Sequence, residues 1–139
     1  MNSRFTIAVH ILTVLAHKRD EPLKSDVVAN SINTNPVVVR RLWSTLAKAG
    51  LIVARTGAAG GGMLAREASL ITLLDVYNAV EARCVFAMHA NPPNKQCLIG
   101  KNIQLVLEDI FAEAQREMEK VLARKTIADV AMAIMKKCR

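Results

Sequence analysis

The stretch over residues 25–62 constrains the fold more than any other part of the chain. At its centre stands Asn35-Pro36, which predicts the start of a helix, because Asn is a preferred N-cap and Pro is favoured at the first helical position. No Gly or Pro follows until Gly50, a residue suited to the left-handed conformation that ends many helices. The sequence therefore predicts a helix over residues 36–49.

The predicted helix has two unlike faces. One face is apolar and indicates the side that packs into a core; it consists of Val38, Leu42, Leu46 and Ala49. The other face is cationic and consists of Val37, Arg40, Arg41, Ser44 and Lys48. Trp43 is interpreted as a core anchor. Because charged helix faces are often no more than solvated surface, the neighbouring segments decide between that interpretation and a binding face.

A shorter helix precedes this one, and a hairpin follows it. Ser25 is the expected N-cap of the shorter helix, and residues 30–35 are expected to form the turn between the two helices. Residues 51–55 and 63–66 have the length of paired strands, and the seven residues between them include four glycines. A helix-turn-helix followed by such a hairpin predicts a winged helix. A flexible hairpin tip with no binding role is the alternative.

The charge distribution favours nucleic acid as the partner. The chain carries 19 Lys and Arg against 12 Asp and Glu, a formal net charge of +7. Nine of the basic residues and three of the acidic ones fall within residues 1–66, which include the predicted winged helix. A basic excess concentrated in one domain is typical of proteins that bind a polyanion. We therefore expect this part of the chain to contact double-stranded DNA.

The expected DNA contacts lie on the two helices and the hairpin. They are Ser25, Thr34, Asn35, Val37, Arg40, Arg41, Ser44, Lys48, Arg55, Gly57, Gly60 and Gly61. Arg side chains suit bidentate contact with guanine, whereas the methyl groups of Val37 suit a thymine methyl. Lys48 and Arg55 are expected to contact phosphates, and the glycines let the backbone approach the minor groove.

The sequence after the hairpin predicts three further helices. Thr72 and Asp75 form a capping-box pattern at the start of the first, and Thr126 and Asp129 form another at the start of the last. Between these patterns, residues 83–101 lack regularity and predict a loop.

A long helix is expected to begin at Asn102. Its apolar stripe comprises Ile103, Val106, Leu107, Ile110, Phe111, Ala114, Met118 and Val121. A stripe of this length outside the compact domain must be buried against something, and a second copy of the chain is the economical partner. Packing within one subunit is the alternative.

The hairpin carries a specific resemblance to a known family. The chain reads Lys48-Ala-Gly-Leu-Ile52, then Arg55-Thr-Gly-Ala-Ala-Gly-Gly-Gly62, and later Ile71-Thr-Leu-Leu-Asp-Val76. Over roughly residues 1–82 these motifs resemble the Rrf2 family of bacterial transcription regulators. The resemblance implies a winged-helix homodimer that binds a palindromic operator. It also implies that the recognition helix enters the major groove and the wing the minor groove.

Two positions depart from the pattern of that family. Arg40-Arg41 stand where many members have Glu-Gln, so the operator sequence cannot be transferred, and Met63 replaces the usual Tyr of the wing. The run from Asn35 to Leu42 resembles the YwnA-like branch of the family, which lacks an iron-sulfur cluster.

The three cysteines are spaced differently from those of the cluster-binding members, which place three close together before the long helix. Cys84 and Cys97 are separated by twelve residues, and Cys138 lies near the far end. We therefore expect no cofactor or metal, and an iron-sulfur cluster is the least expected of all. Cys97 lies between Lys95 and Lys101, which favours its thiolate form, so Cys97 and Cys84 are candidate redox sensors. A structural role as a small apolar residue is the alternative.

The sequence as a whole predicts a mainly α protein with an aliphatic core, since 52% of its residues are hydrophobic but only 4% aromatic. We expect a winged helix-turn-helix DNA-binding domain over residues 1–82, a sensor or linker loop over 83–101 and a helical dimerisation segment over 102–139.

The predicted function is a homodimeric DNA-binding regulator, a repressor responsive to redox or to a small effector. No catalytic set is present, so an enzyme is not expected. A winged-helix protein-interaction adaptor or metabolite-binding protein is the alternative, and a cytoplasmic location is expected because no signal-peptide pattern is found.

Overall fold

The described part of the chain contains six α-helices and one two-stranded antiparallel sheet. The structure is a computed structural model that describes residues 3–55, 57, 60–81 and 84–138. The elements are α1 (Arg4–His17), α2 (Ser25–Ile32), α3 (Pro36–Lys48), β1 (Ile52–Arg55), β2 (Gly61–Leu64), a single 3-10 turn (Ala68–Leu70), α4 (Leu73–Val80), α5 (Leu98–Ala123) and α6 (Ile127–Lys137). This mainly helical winged-helix arrangement is the predicted fold class. Among the described helices, none combines the length and apolar character needed to cross a lipid bilayer.

The chain forms two compact units. The first combines Met1–Ala82 with Leu122–Arg139, and the second is Arg83–Val121. The predicted segment 102–139 is therefore divided, because the end of the chain belongs to the same unit as the winged helix. The backbone N–H of Ile127 donates to the carbonyl of Ile71 at 2.9 Å, which attaches the start of α6 to the start of α4.

The core of the first unit is aliphatic, as the composition predicts. Its largest fully buried side chains are Ile11, Leu12, Leu15, Val28, Val39, Leu46, Leu51, Ile71, Val76 and Ile127. They come from α1, α2, α3, α4 and α6, with Leu51 and Ile71 just outside these elements. The first helix therefore lies at the centre, and the helix-turn-helix and the last helix pack around it.

The helix-turn-helix differs from the prediction at its first cap. Lys24, not Ser25, is the N-cap of α2, and it supplies no side-chain cap. The turn is also shorter than residues 30–35, since α2 continues to Ile32. Asn33 ends this helix in the left-handed conformation with φ of 63°, a conformation that Asn tolerates better than most residues. The left-handed backbone of Asn33 therefore ends α2 and leaves residues 33–35 as the turn.

The buried stripe of α3 lies one residue later than predicted at its start. Val39 is fully buried, whereas Val38 is only half-buried and Ala49 is exposed. Trp43 is buried, which confirms its role as a core anchor. The wide indole extends the buried face beyond a strict four-residue repeat, which explains the shift.

The wing pairs Ile52 with Leu64 and Arg55 with Gly61. The second strand is therefore Gly61–Leu64, two residues earlier than predicted, and two of the four glycines belong to it instead of to the tip. Leu23 adds a further bridge to this strand: its N–H and C=O pair with those of Gly62 at 3.0 and 2.8 Å. Thr56, Ala58 and Ala59 of the predicted tip lie outside the described residues.

Both predicted capping boxes are confirmed. In each, the threonine side chain accepts from the aspartate N–H, and the aspartate carboxylate accepts from the threonine N–H; the pairs are Thr72 with Asp75 and Thr126 with Asp129. In α6, Ile127 is buried, whereas Ile134 is 47% exposed. The last turns of α6 therefore present an apolar residue to solvent.

The second unit differs from prediction at its helix boundary. Helix α5 begins at Leu98, four residues before the expected Asn102, and includes Gly100. The carbonyl of Asn94 would lie 2.5 Å from a Cβ added at Gly100, so glycine allows the preceding loop to lie against the first turn. Phe86 of that loop stacks on Phe111, with ring centroids 5.0 Å apart, and the Val85 N–H donates to the Gln115 side chain at 3.1 Å.

Candidate nucleic-acid interface

The exposed face of α3 is the one that the spacing predicts. Because Val39, Leu42, Trp43 and Leu46 turn inward, the opposite positions turn to solvent. The exposed set is Val37, Arg40, Arg41, Ser44 and Lys48. The helix thus presents three cations and two smaller side chains at its surface, while its other side is anchored in the core.

A cleft of about 680 Å³ lies between the start of α2, the middle of α3 and the wing. It brings together eight of the predicted contacts: Ser25, Arg40, Ser44, Lys48, Arg55, Gly57, Gly60 and Gly61. Four others do not line it, namely Thr34, Asn35, Val37 and Arg41. The predicted set therefore divides into a cleft group and a group outside the cleft.

The cleft is predominantly cationic. Lys24, Arg40, Lys48 and Arg55 line it together with one acid, Asp26. Among the described residues, no carboxylate lies within ion-pair distance of Arg40, Lys48 or Arg55. Their charge is thus available to an anionic partner. Sequence reasoning missed Lys24; the signal was its place next to the expected N-cap, where a side chain lies beside the start of α2.

Two hydrogen bonds within the protein each join a pair of predicted contacts. The guanidinium of Arg40 donates through Nη1 to Ser25 Oγ at 3.3 Å, which joins the middle of α3 to the start of α2. The side-chain oxygen of Asn35 accepts from the Val37 N–H at 2.9 Å and so caps α3. Asn35 therefore has its amide N–H₂ group left for a base edge or phosphate, because its oxygen serves the helix.

The wing is held against α3 by an aromatic contact. A Cβ added at Gly62 would overlap the indole of Trp43, so the ring lies directly on the glycine backbone. The Trp43 side chain is only 5% exposed, and its Nε1–H has no acceptor among the described residues. An unpaired buried donor costs about 1–3 kcal/mol. This close contact, together with the Leu23 bridge, sets the position of the wing relative to the recognition helix.

Gly60 and Gly61 are less accessible to a binding partner than residues at the tip of a hairpin would be. Gly60 is buried, and Gly61 lies in β2 with φ of 140°. A Cβ at Gly61 would meet the backbone of Leu23, whose carbonyl carbon would be 2.8 Å away. Both glycines line the cleft, and the backbone of Leu23 leaves no room for a side chain at Gly61. Gly57 is exposed.

All three cysteines are free and exposed. Cys97 immediately precedes α5, and the backbone N–H groups of Gly100 and Ile99 lower the pKa of its thiol below the ordinary value. Cys97 is exposed, whereas the alternative role is that of a semi-buried apolar residue. The backbone at the start of the helix thus favours the thiolate, and Lys95 and Lys101 are not among the causes of the lowered pKa.

The predicted stripe of α5 is only partly covered within its own unit, where Phe86 stacks on Phe111. No residue of this helix is buried, and the side chains of Val106 and Ile110 are 54% and 52% exposed. Three further apolar residues of this helix are exposed, namely Leu98, Ile99 and Leu105; Ile99 lies beside the stripe, whereas Leu98 and Leu105 lie on the other side of the helix. Exposed apolar surface of this extent is typical of an interaction site.

The whole chain is similar to known transcription regulators. Residues 1–133 match the model of the Rrf2 family, described as an iron-dependent transcriptional regulator. The proposed HTH-type transcriptional regulator YwnA of Bacillus subtilis is 44% identical over 131 residues, 94% of this chain and 96% of YwnA. A proposed DNA-binding protein of known structure is 40% identical with a TM-score of 0.74, covering 92% of this chain and 98% of that one. CymR, the global cysteine regulator of B. subtilis, is 22% identical with a TM-score of 0.72 and 96% coverage of both chains, and so shares the fold.

Regulators of the matched family are described as iron-dependent. An iron-sulfur cluster is held mostly by cysteine thiolates that lie close together. Among the described residues no three His, Cys, Asp or Glu side chains are grouped closely enough to hold a metal ion. The donor set of one chain therefore does not fit such a cluster.

Proposed function

Because the chain belongs to the Rrf2 family of DNA-binding transcriptional regulators, we propose that it acts as a homodimeric repressor on a palindromic operator. The observation that carries this proposal is the cationic face of α3 beside the cleft and the wing, fixed to the core by the opposite face of the same helix. A cytoplasmic location, where its DNA would be, is part of the proposal.

The recognition helix α3 enters the major groove. Residues near its start, Thr34, Asn35 and Val37, together with Arg40 and Arg41, face base edges, because the first turns of such a helix lie deepest in the groove. Ser25 and Ser44 contact the phosphate backbone beside them. Lys48, nearer the end of α3, neutralises a phosphate.

The wing contacts the DNA beside the recognition helix. Arg55 ends β1, lines the cleft and is exposed, so it can reach a phosphate or the minor groove. The exposed backbone at Gly57 lies alongside the DNA strand, while Gly60 and Gly61 line the cleft between the wing and α3. This assignment is supported by the absence of bulky side chains at those three positions.

A second copy of the chain covers the apolar stripe of α5. The contact residues are Ile103, Val106, Leu107, Ile110, Phe111, Ala114, Met118 and Val121. A twofold dimer pairs two identical surfaces and places two recognition helices at half-sites about one helical turn apart. The large exposed apolar area of this helix supports the assignment.

The redox part of the proposal concerns Cys97. Its thiolate attacks a hydroperoxide: an S–O bond forms, the O–O bond breaks and the leaving oxygen departs as hydroxide or alkoxide, so sulfur is oxidised to sulfenic acid. Condensation with the Cys84 thiol forms a disulfide and releases water. We expect oxidation to change operator affinity; equal affinity before and after peroxide treatment would remove this part of the proposal.

The test of the proposed function is salt-dependent binding to duplex DNA. The full-length chain is titrated with random-sequence duplexes at several salt concentrations, and log K is plotted against log salt. A steep linear decrease is expected, since each neutralised phosphate releases counterions. A protein-interaction adaptor would show no such slope. Selection of bound sequences from the random pool then reports whether the preferred site is palindromic.

A further inference from the structure

The cleft between α2, α3 and the wing has the dimensions of a small-molecule site. Its volume of about 680 Å³ falls inside the range of about 300–1,000 Å³ that ligand pockets occupy. Trp43, Ala47 and Ala54 supply an apolar lining. Contacts to DNA phosphates are made by hydrogen-bond donors and cations, so an apolar lining contributes nothing to them.

The charged groups around this lining select the sign of the ligand. Arg40, Lys48 and Arg55 border the cleft without an ion-pair partner among the described residues, and Asp26 is the single carboxylate that lines it. A neutral or cationic ligand would leave this positive excess unmatched, whereas an anion would interact with it favourably. The combination of an apolar lining with a cationic surround fits an organic anion better than an inorganic one.

Trp43 provides a second, independent observation. It lines the cleft, is 5% exposed, and its Nε1–H is a buried donor without an acceptor in the described residues. Buried donors are usually paired, and each exception requires an explanation. The Nε1 edge of the indole lies against the Gly62 backbone, so a ligand acceptor that reaches this N–H from the cleft must separate the ring from the wing.

We propose that this cleft binds a small organic anion with an apolar, aromatic body, and that the bound anion displaces DNA. The inference rests on the proposed function, in which Arg40, Lys48 and Arg55 contact DNA. Because anion and DNA use the same three cations, each excludes the other. By linkage the decrease in affinity is reciprocal.

Binding is tested with phenylbutyrate, which combines a carboxylate with an aromatic body. Trp43 is the only tryptophan of the chain, so the fluorescence of the full-length protein reports on the cleft alone. A saturable change in emission is expected with phenylbutyrate. Phenylbutanol, which has the body without the charge, and inorganic phosphate, which has charge without the body, are expected to bind at least about tenfold more weakly. Equal binding of either comparison ligand overturns the proposal, as does an unchanged emission.

Displacement is tested by titrating random-sequence duplex with the protein in phenylbutyrate or in chloride at equal ionic strength. At least a tenfold weaker duplex affinity is expected in saturating phenylbutyrate, a change of about 1.4 kcal/mol. Equal affinity in the two salts overturns competition. Failure of the protein to bind duplex in chloride would instead contradict the proposed function, and the fluorescence titration would still test the cleft.

A cleft-filling variant locates the effect. Ala54→Leu adds apolar volume inside the cleft, and Val53→Leu, on the opposite face of β1, is the matched control. Ala54→Leu is expected to weaken phenylbutyrate binding at least about tenfold, because the body of the ligand loses its space, while Val53→Leu leaves it unchanged. Equal phenylbutyrate affinities in both variants would place the ligand elsewhere and overturn the proposal. Circular dichroism confirms that each variant is folded.

Discussion

Helices α3 and α5 carry similar apolar stripes, but only the stripe of α3 is buried. The stripe of α3 is buried in its own unit, with Val39 and Leu46 fully inaccessible to solvent. The stripe of α5 leaves Val106 and Ile110 about half exposed, and no residue of this helix is buried. The comparison teaches that an amphipathic pattern indicates which face must be covered, whereas the identity of the covering surface depends on tertiary and quaternary structure.

The largest expected effect is a difference in the free energy of unfolding between a variant in the stripe of α3 and a variant in the stripe of α5. Leu46→Ala in α3 is expected to lower the free energy of unfolding by about 2–5 kcal/mol, because it removes buried methyl groups and leaves a cavity. Ile110→Ala in α5 is expected to change it by less than about 1 kcal/mol in the monomer, since that side chain is half exposed. Urea unfolding at low protein concentration measures both. Equal losses would mean that α5 is part of the same cooperative core.

The second prediction concerns assembly. The double variant Val106→Glu, Ile110→Glu is expected to raise the dimer dissociation constant about a hundredfold, because uncompensated charge in an apolar interface costs several kcal/mol. Sedimentation equilibrium measures the change. Glu108→Gln, an exposed position on the side of the helix opposite Val106 and Ile110, is the matched control and is expected to leave association unaltered. A wild-type chain that is monomeric at high concentration would contradict the dimer proposal.

The third prediction divides the exposed face of α3 from the wing. Arg40→Ala is expected to weaken operator binding by about 1–3 kcal/mol and to relax the choice of base, whereas Arg55→Ala weakens all sequences alike and lowers the salt slope by about one. Titrations of selected and random duplexes measure both properties. Uniform weakening by Arg40→Ala would assign this side chain to a phosphate, which its hydrogen bond to Ser25 at the start of α2 would also permit.

The smallest expected effect concerns variants at the starts of α4 and α2. Thr72→Ala removes a hydrogen-bonded cap of α4 and is expected to lower the free energy of unfolding by about 0.5–2 kcal/mol. Ser25→Ala removes no cap of α2, since its hydroxyl is not the cap, and is expected to cost less. Thermal unfolding of the two variants gives the order. A larger loss for Ser25→Ala would show that its hydrogen bond from Arg40 contributes more than a cap.

Local sequence rules predicted the helix-turn-helix well where one residue controls the geometry. Asn35 caps α3, Pro36 begins it, and Thr72 and Thr126 complete capping boxes. Such devices depend on side-chain and backbone atoms within three residues, so no distant part of the chain can alter them. The exposed face of α3 could also be predicted from local sequence, because the helical spacing assigns each residue to a face once the first residue of the helix is known.

Boundaries and contacts between distant residues could not be predicted in this way. The strand β2 begins at Gly61 because Leu23 pairs with Gly62 across a long sequence separation and Trp43 packs on the same glycine. Helix α5 begins at Leu98 because Asn94 lies against Gly100. In each case the sequence pattern assigns the glycine to a turn or loop, whereas in the structure its missing side chain lets two segments lie close together.

The sequence by itself determined the helical class, the cationic face of α3, the capping boxes and the family, because each depends on neighbouring residues or on a contiguous motif. Only the tertiary structure decided that Lys24, Trp43 and Arg55 border one cleft, and that the stripe of α5 stays exposed. Those outcomes depend on how separate elements pack, and packing is set by the shapes of surfaces that meet from distant parts of the chain.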